Sequence, residues 1–298
     1  MDIAIQTHNL TKRYGNFTAL DDLNLEVRRG EVLGYLGPNG SGKTTTIRLL
    51  LGLIGASGGR ASVFGLDAVK DKLAIHKRLA YVPGDANLWP SLTGEETLHL
   101  LAQVHGSVDV DYRRELIKKF EFDPAKKVRA YSKGNRQKVA LIGALSTRAD
   151  LLILDEPTSG LDPLMEQIFR DCVAEAKRNG QTVFLSSHIL EEVEALCDRV
   201  AVLKAGKLVE QGTLDELRHL SALTVEASFA TTPPSVEHVT GVSDVQVRGT
   251  HLKCQVHGPV APLLSVLSKA HPISLISREP SLEELFLTLY DGKGASTK

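Results

Sequence analysis

The nine residues GPNGSGKTT, Gly37 to Thr45, constrain this 298-residue chain more than any other stretch. They follow a strand-like apolar run, VLGYL, and lead into a helix-like run, IRLLLG. A Gly-x-x-x-x-Gly-Lys-Thr segment between a strand and a helix is a phosphate cradle. Gly37, Gly40 and Gly42, with Pro38, Asn39 and Ser41 between them, leave backbone N–H groups free to converge on an anion. The helix that starts there adds its dipole. Lys43 supplies a point charge for the β- and γ-phosphates. The Thr44 hydroxyl suits a magnesium ion, and the Thr45 hydroxyl suits the α-phosphate.

Further along, LLILDEP is an apolar strand that ends in two acids and a proline. A buried carboxylate needs a partner, and Mg²⁺ is the partner this reading gives Asp155. Glu156 is then the group that orients or deprotonates an attacking water. The chain therefore reads as one that binds and hydrolyses a nucleoside triphosphate. Strand-like stretches alternate with helical ones up to TLDELRHL, which predicts an α/β fold with a mainly parallel sheet. IAIQTHNLTKRYG and LDDLNLEVRRGE read as antiparallel strands before it, and 85–147 as a mostly helical insertion opened by a Thr93–Glu96 capping box. A hairpin is expected to turn at Ala205-Gly206. From about Leu220 the pattern changes to LTVEASFA, VSDVQVRG and HLKCQVHG as strands, with VAPLLSVLSKA and SLEELFLTLY as helices. The expected domains are 1–219 and a small α+β unit, 220–298.

Composition narrows the function. The formal net charge is −1 and there is no basic tail, so no nucleic-acid partner is expected. Cys172, Cys197 and Cys254 share no metal-ligand spacing and read as buried thiols of a reducing compartment. The N-terminus lacks a signal-peptide layout, and no segment approaches the roughly 18–20 apolar residues of a spanning helix. Any membrane part is thus expected on another chain.

YSKGNRQ, Tyr131 to Gln137, opens an amphipathic helix shortly before LLILDEP. It resembles the LSGGQ-type signature of the ATP-binding cassette (ABC) family. RYG, SGLD and SSH fall in that family's order. The resemblance implies a P-loop NTPase cassette, with a mainly parallel sheet, an antiparallel β subdomain and a helical subdomain. It implies ATP and Mg²⁺ as cofactors, and Tyr14 stacked on adenine. It places Asp162 in a loop beside the hydrolytic water and His188 at the γ-phosphate. Ser132, Gly134 and Asn135 would meet the γ-phosphate of a nucleotide held by a second cassette, in a head-to-tail dimer that is expected to be a homodimer.

Two departures stand out. Where the family carries a glutamine after its YVP-like strand, this chain has Gly84 and Asp85. Asp85 either takes over the polar contact to metal or water, or is a solvated loop acid. In the signature, Lys133 and Asn135 replace a glycine and a glutamine. Lys133 is expected either near the γ-phosphate or in solvent. This variant resembles cassettes of drug-resistance-type exporters, as does the C-terminal extension, where Glu279, Leu282, Leu285, Phe286 and Leu289 include an apolar stripe. In ANLWPSLTG, Leu88, Trp89 and Pro90 are either a docking site for a separate transmembrane permease or core of the helical subdomain. The resemblance implies an ATPase subunit energising export, bound at the cytoplasmic face of the membrane through that permease. A cassette acting on a macromolecule, or an ATP-gated module without turnover, is the alternative.

Overall fold

The computed structural model describes residues 2–219 and 222–278, and packing separates two compact units, Met1–Gln211 and Gly212–Lys298. In the first unit an antiparallel sheet joins β1 (Ile3–Tyr14), β2 (Phe17–Leu23), β3 (Glu26–Arg28), β5 (Gly58–Val63) and β6 (Leu66–Asp67), with β1 at its centre. The second sheet runs in the order β11 (Lys207–Thr213), β10 (Arg199–Lys204), β4 (Val32–Leu36), β9 (Thr182–Ser187), β8 (Leu151–Asp155), β7 (Leu79–Val82). From β10 to β7 every pairing is parallel. β4, β8 and β9 are buried at every position, as expected of parallel strands covered on both faces.

Helix α1 (Lys43–Leu50) follows the cradle, and its Ile47, Leu49 and Leu50 join one core with Leu20, Leu23 and Val63 of the antiparallel sheet and Tyr35, Ile153 and Phe184 of the parallel one. The helix is thereby held from both sides, which fixes the cradle at its start. α2 (Lys72–His76) is a short connector before β7. The helical insertion consists of α3 (Gly94–His105), α4 (Val110–Lys119) and α5 (Lys133–Leu145). Thr93 and Glu96 form the expected reciprocal cap of α3, with Thr93 N–H donating to Glu96 Oε2 at 2.7 Å and Glu96 N–H to Thr93 Oγ1 at 3.1 Å. After β8, α6 (Pro163–Arg178) leads to β9, and α7 (Leu190–Leu196) to β10. The expected turn joins β10 to β11, with Ala205 and Gly206 both at positive φ, 46° and 80°.

The second unit, grouped from Gly212, includes α8 (Leu214–His219), whose start is tied by Glu216 N–H to Thr213 Oγ1 at 3.1 Å and Thr213 N–H to Glu216 Oε2 at 2.7 Å. Its antiparallel sheet is ordered β13 (Val242–Arg248), β14 (His251–Val256), β12 (Leu223–Ser228), β15 (Ser274–Arg278). Val225, Leu252 and Cys254 on one face pack with Leu263 and Leu267 of α9 (Ala261–Lys269). The apolar stripe expected at Glu279 to Leu289 lies outside the described residues. Cys172, Cys197 and Cys254 are free and buried, and burial pushes the Cys172 thiol up to about 11. No helix among the described residues is long and apolar enough to cross a membrane.

Candidate active site

β4 delivers the chain to the cradle and α1 receives it. Gly42 sits at φ 114°, and a Cβ there would lie 2.7 Å from the Ala19 carbonyl, so only glycine lets the loop press against β2. Pro38, Asn39, Gly40 and Thr44 are exposed and Thr45 half-buried, while Gly37 and Ser41 are buried. The Ser41 hydroxyl has no hydrogen-bond partner among the described residues, and the first turn of α1 holds no acid. The loop thus offers donors and carries no acid of its own.

Lys43 is 5% exposed and lies back in the loop, its Nζ donating to the Gly37 carbonyl at 2.6 Å and the Pro38 carbonyl at 3.3 Å. Burial pushes its ammonium below the ordinary lysine value, and the Glu156 and Asp155 carboxylates oppose that. Its Nζ lies 3.7 Å from Glu156 Oε1.

The ends of β8 and β9 bring the rest together. Asp155 is buried; its Oδ1 accepts from Ser186 Oγ at 2.5 Å, and its Oδ2 from Thr44 Oγ1 at 3.2 Å. A hydroxyl and a carboxylate side by side are hard oxygen donors that fit Mg²⁺. Among the described residues no cluster of three or more His, Cys, Asp or Glu could cage a metal, and Mg²⁺ ordinarily takes few protein ligands beside substrate phosphates. Glu156 holds φ at 46°, a strained value for a non-glycine residue, while its N–H bonds the Ser186 carbonyl at 3.0 Å. His188, half exposed, places Nδ1 3.4 Å from Glu156 Oε1. Glu156 is therefore flanked by a lysine and a histidine.

Tyr14 is 47% exposed at the end of β1, paired across the β1–β2 hairpin with Phe17, and the Lys12 ammonium sits 5.0 Å above its ring. Its open face is an available stacking surface. Asp85 is exposed and makes no side-chain hydrogen bond among the described residues. Gly84 instead backs onto β8: a Cβ there would stand 3.1 Å from the Asp155 carbonyl and 3.5 Å from Glu156 Cβ.

At the YSKGNRQ signature, Ser132 caps α5 by accepting from Asn135 N–H at 3.2 Å. Gly134 faces the next loop so closely that a Cβ would fall 2.4 Å from the Gly160 carbonyl. Lys133 is exposed, and it also makes a contact within its own chain. Its stem lies along Gly160 and its Nζ donates to Ser159 Oγ at 2.7 Å, so it joins the signature to the SGLD loop of its own chain. Asp162 caps α6, accepting from the N–H groups of Leu164 and Met165 at 3.1 and 3.0 Å.

Three contributors were missed by sequence reasoning. Ser186 braces Asp155, Ser187 braces the turn at His188, and Gln137 donates from α5 to the Pro83 carbonyl at 3.2 Å. The serines had a signal, since two adjacent hydroxyls end an otherwise apolar strand.

The ABC transporter family model matches residues 20–159. The linearmycin resistance ATP-binding protein LnrL of Bacillus subtilis is 31% identical over 96% of this chain and 97% of its own length. The daunorubicin resistance ATP-binding protein DrrA3 of Streptomyces coeruleorubidus is 36% identical over 97% of this chain and 96% of its own. A solved ATP-binding subunit of an ABC transporter superposes with a TM-score of 0.68 at 33% identity, covering 72% of this chain and 92% of that one. Similarity that runs through both units, beyond the cradle itself, shows that this chain belongs to the ATP-binding subunits of the ABC transporter family, which are ATPases.

Proposed function

We propose that this chain hydrolyses ATP to drive export of a drug, lipid or other hydrophobic compound through a separate permease, at the cytoplasmic face of the membrane. The observation that carries it is the convergence on Glu156: Lys43 on one side, His188 on the other, and the Thr44–Asp155 pair beside it. Lys43 releases loop carbonyls for phosphate oxygens, which make stronger, charge-assisted bonds. Thr44 and Asp155 would hold Mg²⁺, which when bound neutralises charge on the β- and γ-phosphates. Glu156 then orients a water and accepts its proton, and His188 steadies Glu156 and the γ-phosphate. Tyr14 stacks on adenine. Backbone donors from Gly37 to Thr45 hold the phosphates.

A second cassette completes each site. Ser132, Gly134 and Asn135 form a donor-rich helix start that serves a nucleotide on a neighbouring copy, with Asp162 in the adjoining loop. A twofold axis makes two such sites at once. The relatives named for linearmycin and daunorubicin resistance support export as the direction. Binding closes the pair and hydrolysis with release reopens it.

The permease docks in an apolar groove of about 400 Å³ beside Trp89, lined by Leu88, Pro83, Leu101, Val104 and Ala144 among others. Its occupant is a short helix from a cytoplasmic loop of the permease. The groove is linked to the site by contacts: Pro83 lines it, Gln137 of the signature helix holds the Pro83 carbonyl, and the next residue, Gly84, abuts Asp155 and Glu156. Trp89 is 49% exposed there, so its ring is open to a partner. Changing Trp89 and Leu88 together to serine should lower recovery of the chain with its permease from membranes by about 30-fold, as for loss of an aromatic anchor. ATP affinity of the free chain should stay within about threefold; equal recovery would place the permease elsewhere.

Asp85 takes the place of the absent glutamine through a bridging water. Asp85→Ala should lower the ATPase rate by about tenfold and raise the Mg²⁺ concentration needed for half-maximal rate. An unchanged Mg²⁺ titration would return Asp85 to a solvated loop acid.

A further inference from the structure

We propose that Glu192 is a positioning residue for hydrolysis, fixing the backbone turn that aims His188 at Glu156. The inference rests on the roles given above to His188 and Glu156. Glu192 is the third residue of α7, where a glutamate ordinarily bonds the cap residue's N–H and stays wet. Here it is 4% exposed and turned inward. Its Oε2 accepts from Ser187 Oγ at 2.5 Å, while its Oε1 is buried without a hydrogen-bond partner among the described residues. Burial pushes the carboxyl above its ordinary range and the nearby Glu166 adds to that, against the Ser187 and Thr158 hydroxyls and His188. A buried carboxyl with one oxygen lacking a close hydrogen bond costs stability, so packing alone does not account for its place.

The three residues SSH divide the work at the end of β9. Ser186 goes to Asp155, Ser187 to Glu192, and His188 to Glu156. Ser187 brackets the histidine, because its Oγ also accepts from the Ile189 N–H at 3.0 Å. A serine hydroxyl carries one proton. With that proton committed to Glu192, its lone pairs face the Ile189 N–H and the turn around His188 is closed. The competing acceptor is the Ile189 carbonyl, 3.4 Å from Ser187 Oγ. Glu192 is thus the end of a relay, Ile189 N–H to Ser187 Oγ to Glu192 Oε2, that holds the residue between them.

The test compares the ATPase kinetics of the full chain with Glu192→Ala, Glu192→Gln, His188→Ala and the Glu192→Ala/His188→Ala pair. Glu192→Ala should lower kcat about 10- to 100-fold and move KM for ATP less than about threefold, since the cradle is untouched. Glu192→Gln, whose amide oxygen still accepts the Ser187 proton, should stay within about threefold of the natural chain. On a His188→Ala background, Glu192→Ala should cost less than about a further twofold. Should Glu192→Ala not fold, Ser187→Ala reports on the same relay and should give the same kcat loss at constant KM. Full kcat in either alanine variant, a KM rise in step with the kcat loss, or an undiminished loss on the His188→Ala background overturns the proposal. If His188→Ala itself hydrolyses ATP at the natural rate, the reading of the site fails first and takes this one with it.

Discussion

Glu156→Gln should hydrolyse ATP about 10²–10⁴-fold more slowly while binding it as tightly as the natural chain. The substitution keeps size and hydrogen-bonding reach but removes the basic oxygen pair. Binding is spared because Glu156 is only a secondary partner of the loop: its carboxylate reaches Lys43 at 3.7 Å, while that lysine has two shorter bonds to loop carbonyls. With turnover stopped, a composite site stays shut, so the variant should also migrate as a dimer in saturating MgATP. Size-exclusion chromatography with light scattering checks this. A monomer under those conditions, alone and with the permease, refutes the two-copy arrangement; an unchanged rate removes Glu156 from the chemistry.

Lys43→Ala should act on the other half of the reaction. Losing one member of a buried charged pair costs about 2–5 kcal/mol, and at about 1.4 kcal/mol per tenfold that is roughly 30- to several thousand-fold in ATP affinity. The free protein should tolerate the change better than the complex. Lys43 is buried against carbonyls with its ammonium destabilised, so its removal relieves a desolvated charge. Isothermal titration with ATP, beside a melting curve, separates the two effects. Lys43→Arg should fail as well, because the planar guanidinium does not fit where a compact ammonium lies 2.6 Å from the Gly37 carbonyl. Affinity retained in both variants would show that the backbone donors suffice.

The parts of this molecule that were legible in the sequence are those whose physics is local. The Thr93–Glu96 cap, the Ala205-Gly206 turn and the apolar β4, β8 and β9 each follow from residues within a few positions of one another. The cradle is local in the same way. β5 was not, because GGRASV opens on two glycines, has only Ala61 and Val63 as apolar residues, and becomes a strand by pairing with β1. β15, SLISR, is exposed throughout and is a strand by pairing with β12. In the site, Ser186 and Gln137 act across 31 and 54 positions of chain, so no window of sequence reveals their partners. Lys133 illustrates a third limit. Its substitution was visible, but a flexible four-carbon stem has many directions open to it, and only the nearness of Gly160 selects one.

On the two-copy arrangement proposed above, that lysine has a consequence for how the copies would meet. By gripping Ser159 it turns the capped start of α5 and the SGLD loop into a single claw, with Gly134 set against the Gly160 carbonyl at its hinge. A neighbour approaching with its nucleotide would find both fingers in register or neither, so partial engagement is a poor resting point and capture tends toward all or nothing.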